Sequence, residues 1–402
     1  MPANNFFKYL LLKLRRFSSF ICGFVFFLSG IIKLMDPVGA GLVVDSYLDF
    51  LHLRFLGFAS QALGVVFALA ETIIGTALVT GVWRKITAIV TLSLQGFFTL
   101  LTILLAIFNP TMDCGCFGEA VHLTHLQTLC KNLIICALLL YAFIPMRNLG
   151  RPKKRKYVSF GLVCTSVIVF TVYSLFYLPM IDFTDYKPGT GLAAVRAEQE
   201  TSQEDAYESV FTYEKDGVQK EFSLENLPDS TWTFVSTNTI QKGDLSKLGA
   251  ALSFYNKEKE YKDSLAVNGD VMIISIYKPQ MSEKRWNKAV KYAETAKSAG
   301  FNPLILVAGT PEQISGIDTG DIPVYFSDYK TLITMNRSNA GATWLCQGYF
   351  IKKWSYRAYP NLVDLKEYIN GNRTEAVLEN DAEGNLIFQG FLLYVFAIML
   401  LL

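Results

Sequence analysis

Apolar residues are spread along this chain in two regimes. Over roughly the first 180 positions they form long runs broken by short polar stretches, and one more run closes the chain. Between these parts they alternate with polar residues at the periods of strands and amphipathic helices. The long runs predict membrane helices at residues 17–35, 55–80, 86–108, 123–144 and 157–178, each long enough to cross a hydrocarbon core. Residues 386–402 are just long enough for a sixth. No small-residue cleavage site follows the first run and further spans do, so it reads as a helix and not as a signal peptide.

The alternating part predicts an α/β domain. Residues 210–222 read as a hairpin around Lys215-Asp216-Gly217. A β-α-β unit follows, with a strand at 271–277, a helix at 283–299 and a strand at 303–308. Then come a short helix at 311–315, a strand at 324–326 and a helix at 329–335. A strand pair, 342–346 and 349–354, turns at Gln347-Gly348, and a helix at 361–369 ends the series. The division expected from these patterns is a four-helix membrane domain at 1–148, a basic loop with a fifth helix at 149–180, and a linker at 181–211. An α/β domain at 212–375 and a sixth helix at 384–402 complete it. Pro188-Gly189 and Gly191 argue against helix in the linker, and 193–203 reads as a short amphipathic helix or as disorder.

Charge adds orientation. The 402 residues carry a net charge of only +2, which gives no reason to expect nucleic acid as a partner. Lys8, Lys13, Arg15, Arg16, Arg84, Lys85 and the cluster at 151–156 fall on one side of the predicted spans. Asp36, Asp45, Asp49, Asp113 and Glu119 fall on the other. The positive-inside bias then places the N-terminus in the cytoplasm and residues 180–385 outside it, in a bacterial inner membrane. No phosphate-cradling glycine motif occurs.

The chemistry concentrates in Asn109-Pro-Thr-Met-Asp-Cys-Gly-Cys-Phe-Gly-Glu119. Asn109-Pro110 should end a helix, and Gly115 permits a sharp backbone between Cys114 and Cys116. A bridge between those two closes a very small ring, which makes it more oxidising than an ordinary staple. His122 and His125 follow, so a Cys/His metal site is an alternative, as are histidines that favour a thiolate and an inert disulfide or plain thiols. Cys22, Cys130, Cys136 and Cys164 lie in apolar helices, where cysteine usually acts as a small buried hydrophobe, and Cys346 falls in a strand. Lys33 and Glu71 are ionisable groups inside predicted spans. They read either as a structural ion pair between two helices or as charge lining a proton or quinone site. Gly75 and Gly81 let helices approach closely, and Gln95 is placed to hydrogen-bond across the bundle.

With these residues in view, the first 145 positions resemble the DoxX/MauE family of four-helix membrane proteins. The matching stretches are Phe27-Leu-Ser-Gly-Ile-Ile-Lys-Leu-Met-Asp-Pro37, Glu71-Thr-Ile-Ile-Gly-Thr-Ala-Leu-Val-Thr-Gly81 and the segment around Asp113-Cys-Gly-Cys-Phe-Gly118. The family is distantly similar to the vitamin K epoxide reductase bundle. The resemblance implies that Cys114 and Cys116 form a redox-active pair in a thiol–disulfide oxidoreductase serving periplasmic clients, with a quinone near Lys33 and Glu71. A second cysteine pair, expected of a complete relay, is missing: Cys130 lies about 14 residues past Cys116, roughly 20 Å along a helix. The α/β part resembles the thioredoxin fold, but Lys278-Pro-Gln-Met-Ser-Glu-Lys-Arg-Trp286 replaces Cys-x-x-Cys and Ala340 stands where the cis-proline would be. That implies a domain that binds a partner. A non-enzymatic membrane assembly factor is the alternative from another class.

Overall fold

The computed structural model describes residues 3–110, 112, 114–144, 152–192, 207–215, 218–223, 228, 232–241 and 251–401. Asp113, Arg151, the 193–203 stretch and the Asp216-Gly217 turn lie outside the described residues. The chain forms two compact units, Met1–Phe183 with Asp381–Leu402, and Thr184–Asn380.

The first unit is helical. It contains α1 (Ala3–Met35), α2 (Pro37–Phe50), a 3₁₀ turn (Arg54–Ala59), α3 (Ser60–Thr80) and α4 (Arg84–Phe108). A short extended segment, β1 (Cys116–Glu119), leads into α5 (His125–Phe143) and α6 (Lys154–Phe176). A C-terminal helix, Arg373–Leu401, begins in the second unit and ends in the first. Six helical segments among the described residues are long and apolar enough to cross a membrane, and the last begins well before the apolar run at 386–402.

The hydropathy pattern gave no sign of α2. Its start is encoded locally: the Asp36 carboxylate accepts from the Gly39 amide at 2.9 Å, and Pro37 occupies the first turn. Its 14 residues, about 21 Å of helix, are too short to span a bilayer.

Two apolar clusters share α1 and α3. Cys22, Phe26, Ile74 and Leu78 meet Ala88 of α4 and Ile135 and Leu139 of α5. Phe27, Ile31 and Ala68 meet Val163, Val167 and Phe170 of α6 and Phe388, Val395 and Met399 of the C-terminal helix. The α1–α3 seam is set by small residues. A Cβ on Gly75 would overlap the Phe27 backbone nitrogen, and one on Gly23 would sit 2.7 Å from Leu78 Cβ. Helices this close gain dispersion contacts along their length, the usual basis of helix association in lipid. Gly81, by contrast, ends α3 with φ +74° and contributes a cap. Lys156 Nζ and Ser159 Oγ donate to the carbonyls of Met399 and Ile398, satisfying the last turn of the C-terminal helix.

In the second unit a three-stranded antiparallel sheet has β2 (Tyr207–Lys215) between β3 (Val218–Ser223) and β4 (Thr233–Gln241). The β2–β3 hairpin follows the predicted one, while β4 was not foreseen. A five-stranded mixed sheet follows, built from β5 (Asp270–Ile276), β6 (Asn302–Val307), β7 (Val324–Phe326), β8 (Gly341–Cys346) and β9 (Tyr349–Trp354) in the order β7-β6-β5-β8-β9. The first three run parallel, and β8 and β9 are antiparallel. Helices α7 (Glu283–Ala299), α8 (Tyr329–Met335) and α9 (Leu362–Asn370) accompany the sheet. β5, buried at every residue after Asp270, is the fully apolar central strand that a sheet covered on both faces requires.

Candidate functional site

The helical unit encloses a cavity of about 400 Å³ lined mainly by apolar side chains from α1 to α5, among them Phe26, Val43, Phe67 and Phe98. Its polar lining includes Ser29, Lys33, Tyr47, Glu71, Gln95, Asn132 and the two cysteines Cys114 and Cys116. The structure thus brings the ionisable pair and the cysteine pair to one cavity.

Lys33 ends α1 and Glu71 sits midway along α3. Lys33 Nζ lies 2.7 and 2.8 Å from the two Glu71 oxygens, with both side chains largely buried. This is the expected ion pair between helices. It also lines the cavity. Ser29, one helical turn before Lys33, joins the pair to the cysteine loop: its Oγ lies 2.9 Å from Glu71 Oε2 and 2.7 Å from the Cys116 carbonyl oxygen. One hydroxyl proton serves both acceptors. Sequence reasoning passed over Ser29, although its spacing of four from Lys33 puts the two on one helix face.

The loop is seated from α2. Tyr47 donates its phenol to the Cys114 carbonyl at 2.9 Å. Burial pushes the Tyr47 phenol well above its ordinary range, and the nearby Cys116 and Cys114 add to the effect, so Tyr47 remains a donor. Gly115 takes φ +60° and packs so closely against Val43 that a Cβ would overlap it. Gly115→Ala is therefore expected to cost about 1–2 kcal/mol, from left-handed backbone plus displaced packing. Adding Val43→Ala to Gly115→Ala should recover only the packing part. Thermal unfolding of the two single variants and the double variant in detergent checks this.

Cys114 and Cys116 stand as thiols in the structure. They differ in setting: Cys114 is 3% exposed, whereas Cys116 is partly exposed. Cys114 Sγ lies 3.0 Å from His125 Nδ1, and His125 Nε2 lies 2.9 Å from the Pro110 carbonyl oxygen. His125 opens α5, whose start is fixed by a capping box between Thr124 and Gln127. His122 is exposed, and among the described residues no group of three His, Cys, Asp or Glu side chains is placed to hold a metal ion. Deeper in the cavity, Gln95 Nε2 donates to the Asn132 carbonyl at 3.2 Å, the cross-bundle bond expected of Gln95. The remaining helix cysteines vary: Cys22 is buried as expected, Cys136 and Cys164 are partly exposed, and Cys130 is exposed.

In the second unit the segment from Lys278 to Trp286 is fastened by hydrogen bonds at both ends. Asn339 accepts from the Lys278 amide and donates to the Lys278 carbonyl, each at 3.0 Å, and Trp286 Nε1 donates to the Pro279 carbonyl at 3.0 Å. Ala340, beside it, is buried at φ +62°. Burial and the Asp270 carboxylate push the Cys346 thiol up, away from nucleophilic character. Trp344 and Phe350 are fully buried and belong to the core of this unit.

These features define a class: a multi-pass helical membrane protein with two cysteines lining a cavity of its helical unit, carrying an α/β domain. Residues 10–145, about a third of the chain, match the family model of the methylamine utilisation protein MauE. Residues 207–242, the three-stranded sheet, match a domain family of unknown function. No curated relative and no solved structure matches the chain.

Proposed function

We propose that the protein is a membrane thiol–disulfide redox protein that oxidises or matures envelope proteins through Cys114 and Cys116. The observation that carries this reading is a Cys-Gly-Cys pair lining the same apolar cavity as the buried Lys33–Glu71 pair. A client thiolate attacks the Cys114–Cys116 bridge, and a second client thiolate resolves the mixed disulfide. The client loses two electrons as its own disulfide forms, and the loop gains them as a dithiol. Re-forming the bridge removes two electrons and two protons from the loop. A quinone, when bound, is a two-electron, two-proton acceptor of the class this needs. The cavity fits such a ring: its walls are apolar, and Lys33 carries a third N–H beyond the two that Glu71 takes up. Lys33 would donate to a quinone oxygen, and Glu71 would hold the Lys33 ammonium in place and accept from the hydroxyl of the reduced ring.

The basic residues favour a cytoplasmic N-terminus in a bacterial inner membrane, with the cysteine loop and the α/β unit in the periplasm. In the α/β unit the strands β6-β5-β8-β9 with α7 between β5 and β6 support a thioredoxin-like reading. Its fastened loop, without a dithiol, suits a domain that binds the client and does not itself exchange thiols.

The test is thiol trapping of Cys114 and Cys116 in native membranes with and without quinone depletion. Depletion should shift the pair towards the dithiol, and Cys114→Ser or Cys116→Ser should reduce client oxidation to background. A pair that stays oxidised under both depletion and strong reductant is a structural staple, and the chain is then an assembly factor.

A further inference from the structure

We infer that Cys116 is the sulfur a client attacks and Cys114 the one that leaves, with His125 carrying the proton for the leaving thiolate. This rests on the redox reading above and orders its steps. Thiol–disulfide exchange is decided by access to the attacked sulfur and by how well the departing thiolate is stabilised. The two cysteines divide these demands between them. Cys116 is partly exposed, while Cys114 is 3% exposed and its Sγ sits 3.0 Å from His125 Nδ1.

The tautomer follows from the other ring nitrogen. His125 Nε2 faces the Pro110 carbonyl oxygen, which only accepts, so Nε2 carries hydrogen in the neutral ring and in the charged one. Nδ1 then has two forms: a lone pair accepting the Cys114 S–H, or an N–H donating to the Cys114 thiolate. The proton moves between two atoms already within hydrogen-bond reach. In the attack, a bond forms between the client sulfur and Cys116 Sγ while the Cys116–Cys114 bond breaks. The electron pair stays on Cys114 Sγ, which takes the proton from His125 Nδ1. The second client thiolate then attacks the client sulfur of the mixed disulfide and releases Cys116 as a thiolate. Run in reverse, neutral His125 takes the Cys114 proton as the bridge re-forms. Tyr47 and Ser29, which hold the carbonyls of Cys114 and Cys116, keep the two sulfurs in these unequal settings.

The experiment uses the oxidised full-length chain in detergent with limiting reduced glutathione as the attacking thiol. The reaction is quenched in acid, and the adduct is located by peptide mass spectrometry. Glutathione on Cys116 is expected, and glutathione predominantly on Cys114 overturns the order of attack. His125→Asn, which places an amide near Nδ1 but cannot carry the proton, should slow adduct formation by about 100-fold, the low end for a positioned acid–base group. Added imidazole should restore much of the rate in His125→Ala. His125→Asn at the wild-type rate, or His125→Ala indifferent to imidazole, overturns the role of His125, since loss of a merely structural contact is not repaired by imidazole. A pair that glutathione does not reduce in the wild type overturns the redox reading itself, and this inference with it.

Discussion

Glu71→Ala is expected to destabilise the helical unit by about 3–5 kcal/mol, the range for removing one partner of a buried ion pair. The substitution leaves the Lys33 ammonium in an apolar cavity with both of its close oxygens gone. It also removes one of the two acceptors that share the Ser29 hydroxyl proton, leaving the Cys116 carbonyl as the other. The loss should come mainly from the unpaired charge, and that origin can be isolated. Replacing both residues, as Lys33→Met with Glu71→Leu, removes both charges at similar volume and should recover most of the stability. Unfolding in mixed micelles, followed by tryptophan fluorescence, supplies the comparison. A double variant as unstable as Glu71→Ala would show that shape at this position, and not charge, holds α1 to α3. The double variant also separates stability from chemistry: under the proposed redox function, a well-folded chain that no longer reoxidises its cysteine pair would assign Lys33 and Glu71 to the proposed quinone site.

Gly75→Val should be about as damaging, at roughly 3 kcal/mol or more, at and beyond the upper end for overpacking. Added carbons would overlap the Phe27 backbone and approach the Gly23 carbonyl oxygen at 2.7 Å, and neither is a flexible side-chain end that can swing aside. Helix α1 has to withdraw from α3, opening both apolar clusters that the two helices share. Gly96→Val is the control, because a Cβ at that exposed α4 position meets nothing within 4 Å. The same unfolding measurement should find Gly96→Val within about 1 kcal/mol of wild type. Equal losses for the two would mean that the cost lies in helix propensity and not in the α1–α3 seam.

Some of the site was written in the residues themselves. Ionisable groups in apolar runs must find each other or water, so Lys33 and Glu71 were legible as a pair before any fold was known. Gly75 was legible as a contact residue for the same kind of reason: only small residues let helices touch in lipid. Ser29, Tyr47 and the Cys114–His125 contact were harder to read. Each joins segments that meet only through the rotation of a helix about its axis and its offset along its neighbour, and neither leaves a local mark.

The sequence by itself determined the elements. Uninterrupted apolar runs specify membrane helices because backbone polar groups in lipid must be satisfied within the segment. The strands and helices of the mixed sheet follow from period, caps and turns, and α7, β7, α8 and β9 fall at the residues the pattern predicts. Only the tertiary structure decided that α2 folds onto the bundle to seat the cysteine loop, and that one cavity joins two cysteines to an ion pair on other helices. It alone decided that His125 meets Cys114 while His122, three residues earlier, stays exposed. Hydropathy and periodicity are properties of neighbouring residues. A site assembled across helices depends on packing, where contacts far apart in the chain choose which faces meet.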